Sequence, residues 1–173
     1  MKGFLKVVVW IIVLAAVCVG VYFVLPEYPQ NYVKSVVQPL VDANAKVRIQ
    51  EVQNILNKDF DNVSYKTLLE GKVKNPCWAY QLDETTGVEH VTFYGRGIEL
   101  NLKEWEEYGG KLSTSATVKI DFVITNKSKV EIVPYVDGVM MQIKDGKHVE
   151  KNDKILKAIL SQMYTGMGPL ENQ

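Results

Sequence analysis

Cys77-Trp78-Ala79-Tyr80-Gln81-Leu82-Asp83, then Glu84-Thr85-Thr86-Gly87, then Val88-Glu89-His90-Val91-Thr92-Phe93-Tyr94 is the stretch that decides the fold. Two runs that alternate with period two flank a four-residue loop closed by glycine, which is the pattern of an antiparallel hairpin. With the register set by that loop, Trp78 faces Phe93, Tyr80 faces Val91, Cys77 faces Tyr94 and His90 faces Gln81. Trp78, Tyr80, Leu82, Val91 and Phe93 then share one aromatic-rich side, the expected inner face.

Toward the C-terminus, Ile98, Leu100 and Leu102 alternate again after Gly95-Arg96-Gly97, and a short polar helical turn is expected around Lys103 to Tyr108 before Gly109-Gly110. The clearest single strand carries Val118, Ile120, Phe122 and Ile124. Asn126-Lys127-Ser128 turns it back into Val130 to Val136. Asp137-Gly138 and Asp145-Gly146 are tight-turn signals ahead of Val139 to Lys144 and of Lys147 to Glu150. The spacing predicts an antiparallel meander of three strands, with a fourth at Lys147 to Glu150. Pro134 has no amide donor and belongs at an edge or a bulge. A last helix over Asp153 to Tyr164 carries Leu156, Ile159, Leu160 and Met163 on one side, a stripe expected to pack on its own sheet.

Toward the N-terminus the period becomes helical. Leu40, Ala45, Ile49, Val52 and Leu56 recur against Lys46, Gln50, Gln53 and Asn57, predicting an amphipathic helix from Leu40 to Lys58. Val63 to Leu69 adds a short helix. Pro26, Pro29 and Pro39 discourage helix between them, so residues 26–39 read as a stalk. Helices around antiparallel hairpins define an α+β class: a long amphipathic helix packed on a sheet, with a C-terminal helix. The order of elements resembles the cystatin-like and NTF2-like shape class, in which a long helix lies across a curved antiparallel sheet. That likeness concerns architecture and says nothing about chemistry.

Ahead of this domain, Val7 to Leu25 is an apolar run without a charge, preceded by Lys2 and Lys6. As a helix it is about 28 Å long, close to the ~30 Å hydrocarbon core of a bilayer. A cleaved signal peptide would have a shorter apolar core and a small-x-small exit, whereas this run leaves through Tyr22-Phe23-Val24-Leu25-Pro26. The expected layout is a short cytoplasmic N-terminus (1–6), a transmembrane helix (7–25), the stalk (26–39) and one extracytoplasmic domain (40–173). Lys2 and Lys6 orient the chain with its N-terminus inside. Trp10 at one end and Tyr22, Tyr28 and Tyr32 at the other suit the interfacial aromatic belts.

All 20 acidic residues follow Pro26, as do all but Lys2 and Lys6 of the 20 basic ones. The domain is nearly neutral and has no basic run, which argues against nucleic acid as a partner. Cys18 lies in the apolar run and cannot pair with Cys77, so Cys77 is expected as a buried thiol, with an intermolecular bridge as the alternative. Asn62-Val63-Ser64 and Asn126-Lys127-Ser128 are formal glycosylation sequons, meaningful only in a eukaryotic source.

Chemistry-bearing patterns are sparse. Cys77 and His90 share a face in the hairpin but stand four positions apart, roughly 13 Å at strand rise, far beyond the reach of a nucleophile and its base. No HExxH, CxxC or calcium-loop spacing occurs, and Asp83, Glu84 and Glu89 read as an exposed hairpin tip. No catalytic residue, metal or cofactor is therefore assigned. Gly95-Arg96-Gly97 joins strands and reads as a bulge, with Arg96 as an anion-binding candidate. Trp105 and Tyr108, three apart on a polar turn, are candidates for a binding platform. The expected function is a membrane-anchored, non-catalytic accessory or scaffold component of an envelope complex. Its partners would be the lipid bilayer, membrane or envelope proteins, and a second copy through self-association. A ligand-binding or sensing domain with a pocket between helix and sheet is the alternative, and an enzyme whose site assembles only in three dimensions is the second.

Overall fold

The computed structural model describes residues 2–71, 73–100, 113–125, 129–137, 139–140 and 148–165. Two helices lead the chain: α1 (Lys2–Val24) and α2 (Glu27–Val41). They are followed by α3 (Ala43–Gln53), a two-residue pairing of β1 (Leu56–Asn57) with β2 (Val63–Ser64), and α4 (Tyr65–Glu70). The main sheet is β3 (Lys74–Leu82), β4 (Glu89–Leu100), β5 (Ser113–Thr125), β6 (Lys129–Val136) and β7 (Val139–Met140), antiparallel and in sequence order. A final helix, α5, spans His148–Thr165. The fold class is α+β, as the sequence predicts.

The hairpin has the register read from its loop: Trp78 pairs with Phe93, Tyr80 with Val91, Cys77 with Tyr94 and Gln81 with His90. The Asp83 N–H donates to the Val88 carbonyl at 2.9 Å, and Gly87 sits at φ +70° to close the turn. Asp83 is consumed by this loop, since its carboxylate accepts from the Thr85 and Thr86 amides and from the Thr86 hydroxyl. Those bonds, led by the Thr86 hydroxyl, hold its carboxyl below the usual range.

Alternation sends Trp78, Phe93 and Phe122 to one face, where the indole lies 5.1 Å from the Phe93 ring and 5.9 Å from Phe122. Onto this face pack Ala45, Ile49 and Val52 of α3, Leu68 and Leu69 of α4, and Ile159, Leu160 and Met163 of α5, all buried. The stripe on α5 therefore serves its own core. Helices α3, α4 and α5 share this face.

Three expectations are overturned. Residues 27–41 are helix, not stalk. Pro26 is the N-cap and Pro29 lies in the first turn, where amides have no helical acceptor and a missing N–H costs nothing. Pro39 does sit inside the helix, but near its end, and contacts with the sheet compensate. The second correction is that the amphipathic helix is not continuous from Leu40 to Lys58. Asp42 breaks it, its amide closing α2 on Gln38 and its carboxylate capping the Asn44 and Ala45 amides of α3 at 2.9 and 3.1 Å. Leu40 and Leu56, expected on the buried stripe, are 81% and 58% exposed. Thirdly, His148–Glu150 belongs to α5 and not to a fourth meander strand.

Pro134 pairs with Ile120 across β5, while β7 reaches only Tyr135 and Val136, so the proline's outer side is unpaired among the described residues. The opposite edge, β3, is guarded by α2. The Gln38 side-chain amide donates to the Tyr80 carbonyl at 2.8 Å, and its oxygen accepts the Tyr80 N–H at 3.0 Å. One side chain thus stands in for a stretch of neighbouring strand. Replacing it (Gln38→Ala) strips both bonds from a part-buried backbone, and full-length protein in detergent should lose about 1–3 kcal/mol of stability in urea denaturation. An unchanged midpoint would show that the clamp is ornamental.

Candidate functional site

The outer face of the sheet, opposite the core, gathers the polar side chains. Cys77, Ala79 and Tyr94 form a small second cluster there, with Tyr28 of α2 packed against it. Cys77 is 2% exposed, and burial pushes its thiol up to about 11, so it behaves as a small hydrophobe. Cys77 in the folded full-length protein should resist maleimide and react once denaturant is added; labelling at the rate of an exposed thiol would contradict its burial.

The N-terminus of α2 is seated on this cluster. The Tyr28 hydroxyl donates to the Asn75 carbonyl at 2.7 Å, and the Arg96 guanidinium lies over the Tyr28 ring at 4.0 Å. Arg96 does sit at a bulge: the register shifts between Arg96 and Ile98, and Gly97 has φ +70°. A Cβ at Gly95 would come within 2.6 Å of Val73 and 3.1 Å of Phe93, so glycine is required beside it. The bulge lies within one strand, β4, and does not join two. Its arginine is engaged with Tyr28, which leaves the anion-binding role without support from geometry. Trp105 and Tyr108, the other two candidates, lie outside the described residues.

Glu27 binds the sheet from the first turn of α2. Its Oε1 accepts from the Tyr94 hydroxyl at 3.0 Å and from Lys119 Nζ at 3.1 Å. The Lys119 ammonium also lies 4.6 Å from the Tyr135 ring and 5.8 Å from that of Tyr94. Burial opposes ionisation of Glu27, but Lys119 and the Tyr94 hydroxyl outweigh it and hold the carboxyl below its ordinary 4.5. Burial and Glu27 together push the Tyr94 hydroxyl up. With the folded value below the unfolded one, this contact stabilises fully above pH 4.5 and is lost as pH falls through the folded value. Glu27→Gln should remove that part of the acid dependence, a difference under about 1 kcal/mol for so exposed a pair, read as urea midpoints at pH 6 and 3.5. Identical pH responses of the two proteins would contradict the assignment.

Further along the same face, Asp121 is 8% exposed and uses both oxygens: Thr92 Oγ1 donates to Oδ1 at 3.0 Å, and His90 Nδ1 stands 3.0 Å from Oδ2. A carboxylate fixed against a histidine is two-thirds of a nucleophilic triad. Directly across from His90 stand Gln81 and Val123, neither of which is a nucleophile, and Cys77 is four pairs away in the hairpin. The cluster satisfies a buried acid. The sequence singled out His90 but not its partner, because Asp121 lies 31 residues away and pairs through β4–β5 register. Among the described residues, no group of three or more histidine, cysteine or acidic side chains is arranged to hold a metal ion.

A cleft of about 280 Å³ opens between α2, α3 and β3, lined by Ser35, Pro39, Ile49, Pro76 and Trp78 among others. It lies at the helix–sheet junction, below the ~300–1,000 Å³ typical of small-molecule sites. Beyond α1, the far side of α2 presents an apolar surface to solvent, where Val33, Val36, Val37, Leu40 and Val41 are all exposed. Sequence reading passed over it because the prolines argued against a helix, although the spacing of 33, 36, 37, 40 and 41 is helical.

Comparisons of the chain with protein-family models, with curated proteins and with solved structures return no match, so function is argued from this geometry alone.

Proposed function

We propose that this chain is a single-pass membrane-anchored protein whose extracytoplasmic α+β domain is a non-catalytic accessory or scaffold component of an envelope complex. The observation that carries the reading is the connection between anchor and domain. α1 is long and apolar enough to cross a membrane or to serve as a signal sequence, and none of its apolar window is buried against the rest of the protein. Only Leu25 and Pro26 separate it from α2, which is bound to the sheet through Glu27, Tyr28 and Gln38.

A flexible stalk would let a domain search for a substrate. Here the connection is only two residues long, which keeps the domain close to the anchor, an arrangement useful to a positioned component. Confinement to the membrane plane also raises its effective concentration for membrane neighbours. Lys2 and Lys6 ahead of the span favour a cytoplasmic N-terminus by the positive-inside rule. The His90–Asp121–Thr92 cluster lacks a nucleophile across from it, which supports the non-catalytic reading. Among the described residues, the helix–sheet cleft of about 280 Å³ is what supports the ligand-binding alternative.

Proximity crosslinking of the full-length protein in its native membrane, read by mass spectrometry, is expected to capture a reproducible set of envelope proteins. Self-crosslinks alone, or none, would overturn the scaffold reading. N-terminal sequencing of the membrane fraction is expected to begin at or next to Met1; a start near residue 19 or 27 would identify a cleaved signal.

A further inference from the structure

α2 is amphipathic the wrong way round for a helix of a soluble domain. Tyr28, Asn31, Ser35 and Gln38, spaced three and four apart, face the sheet and its edge, and Tyr28 and Gln38 hydrogen-bond to its backbone. The opposite side carries Val33, Val36, Val37, Leu40 and Val41, exposed by 41, 55, 47, 81 and 78%. Glu27 and Lys34 are the helix's only charges, and neither interrupts that side. A helix normally turns its apolar stripe to the core; here the polar stripe faces inward and the apolar one faces out.

The chain itself says what covers this face. Val24 ends α1 and Glu27 begins α2, and the three Cα–Cα steps between them reach about 11 Å at most. If α1 spans the bilayer, the start of α2 lies within or immediately beside the headgroup layer, which adds roughly 5–8 Å beyond the hydrocarbon on each side. Tyr22 and Tyr32 bracket the junction with rings suited to that depth. The exposed stripe amounts to on the order of 500 Å², short of the ~800 Å² per partner of a standard protein interface. An interfacial helix needs only one apolar side sunk about 5–10 Å into the headgroup boundary, with polar matter above it. In α2 the polar matter above is the folded domain.

We propose that this face is a lipid-docking surface. α2 lies in the interfacial layer of the bilayer that α1 spans, apolar side toward the acyl chains, and carries the domain on its opposite side. The inference rests on α1 being an uncleaved anchor, and it sharpens that reading by fixing the orientation of the domain on the membrane.

The test uses the full-length chain with Cys18→Ala and Cys77→Ala, carrying one nitroxide at a time through Val33→Cys, Val36→Cys, Val37→Cys or Leu40→Cys. It is reconstituted into vesicles of three parts phosphatidylcholine to one part phosphatidylglycerol. Lys34→Cys on the flank of α2 and Thr85→Cys at the hairpin tip are aqueous references, and Val13→Cys reports on the span. Positions 33, 36, 37 and 40 are exposed and Lys34 is half-buried, so labelling leaves the core intact, and thermal unfolding checks this. Power saturation is expected to give oxygen-to-nickel-chelate accessibility ratios at 33, 36, 37 and 40 at least about threefold above those at 34 and 85. Ratios equal to the aqueous references would overturn lipid docking. So would protection from both reagents, which indicates burial against protein, with a second copy identified by spin–spin broadening. A Val13 label open to the nickel chelate, or release of the chain by alkaline carbonate, would instead defeat the anchor reading.

Discussion

The amide of Gln38 meets the backbone of Tyr80 with both its donor and its acceptor, and through that pair α2 becomes an extension of the sheet. Without it, β3 would present an unpaired edge of a five-stranded sheet to solvent, the usual route to unwanted strand addition. The guard is a side chain and not a strand, so the helix that supplies it can follow the apolar helix α1 after only two residues.

The same seat explains the distribution of charge on the outer face. Glu27 brings a carboxylate to a place where Tyr94 and Lys119 would otherwise face each other uncompensated, and the Lys119 ammonium is shared between that carboxylate and the Tyr135 ring. Beside it, Thr92 and His90 complete the partners of the nearly buried Asp121. A polar group taken from water must be hydrogen-bonded or it costs about 1–3 kcal/mol. These hydrogen bonds satisfy the polar groups of the outer face, and what α2 leaves uncovered on its own far side is apolar.

Local rules made much of the fold readable. Loop length and period-two alternation set the Trp78–Phe93 and Tyr80–Val91 register, and helical periodicity set the buried side of α5. The Gly95-Arg96-Gly97 bulge was readable for the same reason, since glycine content reports backbone conformation directly. The candidate site was far less legible. Arg96 was found, but its engagement with Tyr28 depends on a helix 68 residues earlier that three prolines argued against. Asp42 resembled any polar residue on a helix until α2 existed for it to terminate.

By itself the sequence determined the elements whose energetics are local: the apolar span, the hairpin with its register, the alternating strands and the apolar stripe of the last helix. Tertiary structure decided whether residues 27–41 are helix, because Pro39 disfavours it by about 3 kcal/mol and only contacts with β3, β4 and β5 offset that cost. It also decided that the apolar side of that helix faces away from the domain. Such a choice depends on which side finds partners on the sheet, and those partners lie from 42 to 92 residues away along the chain.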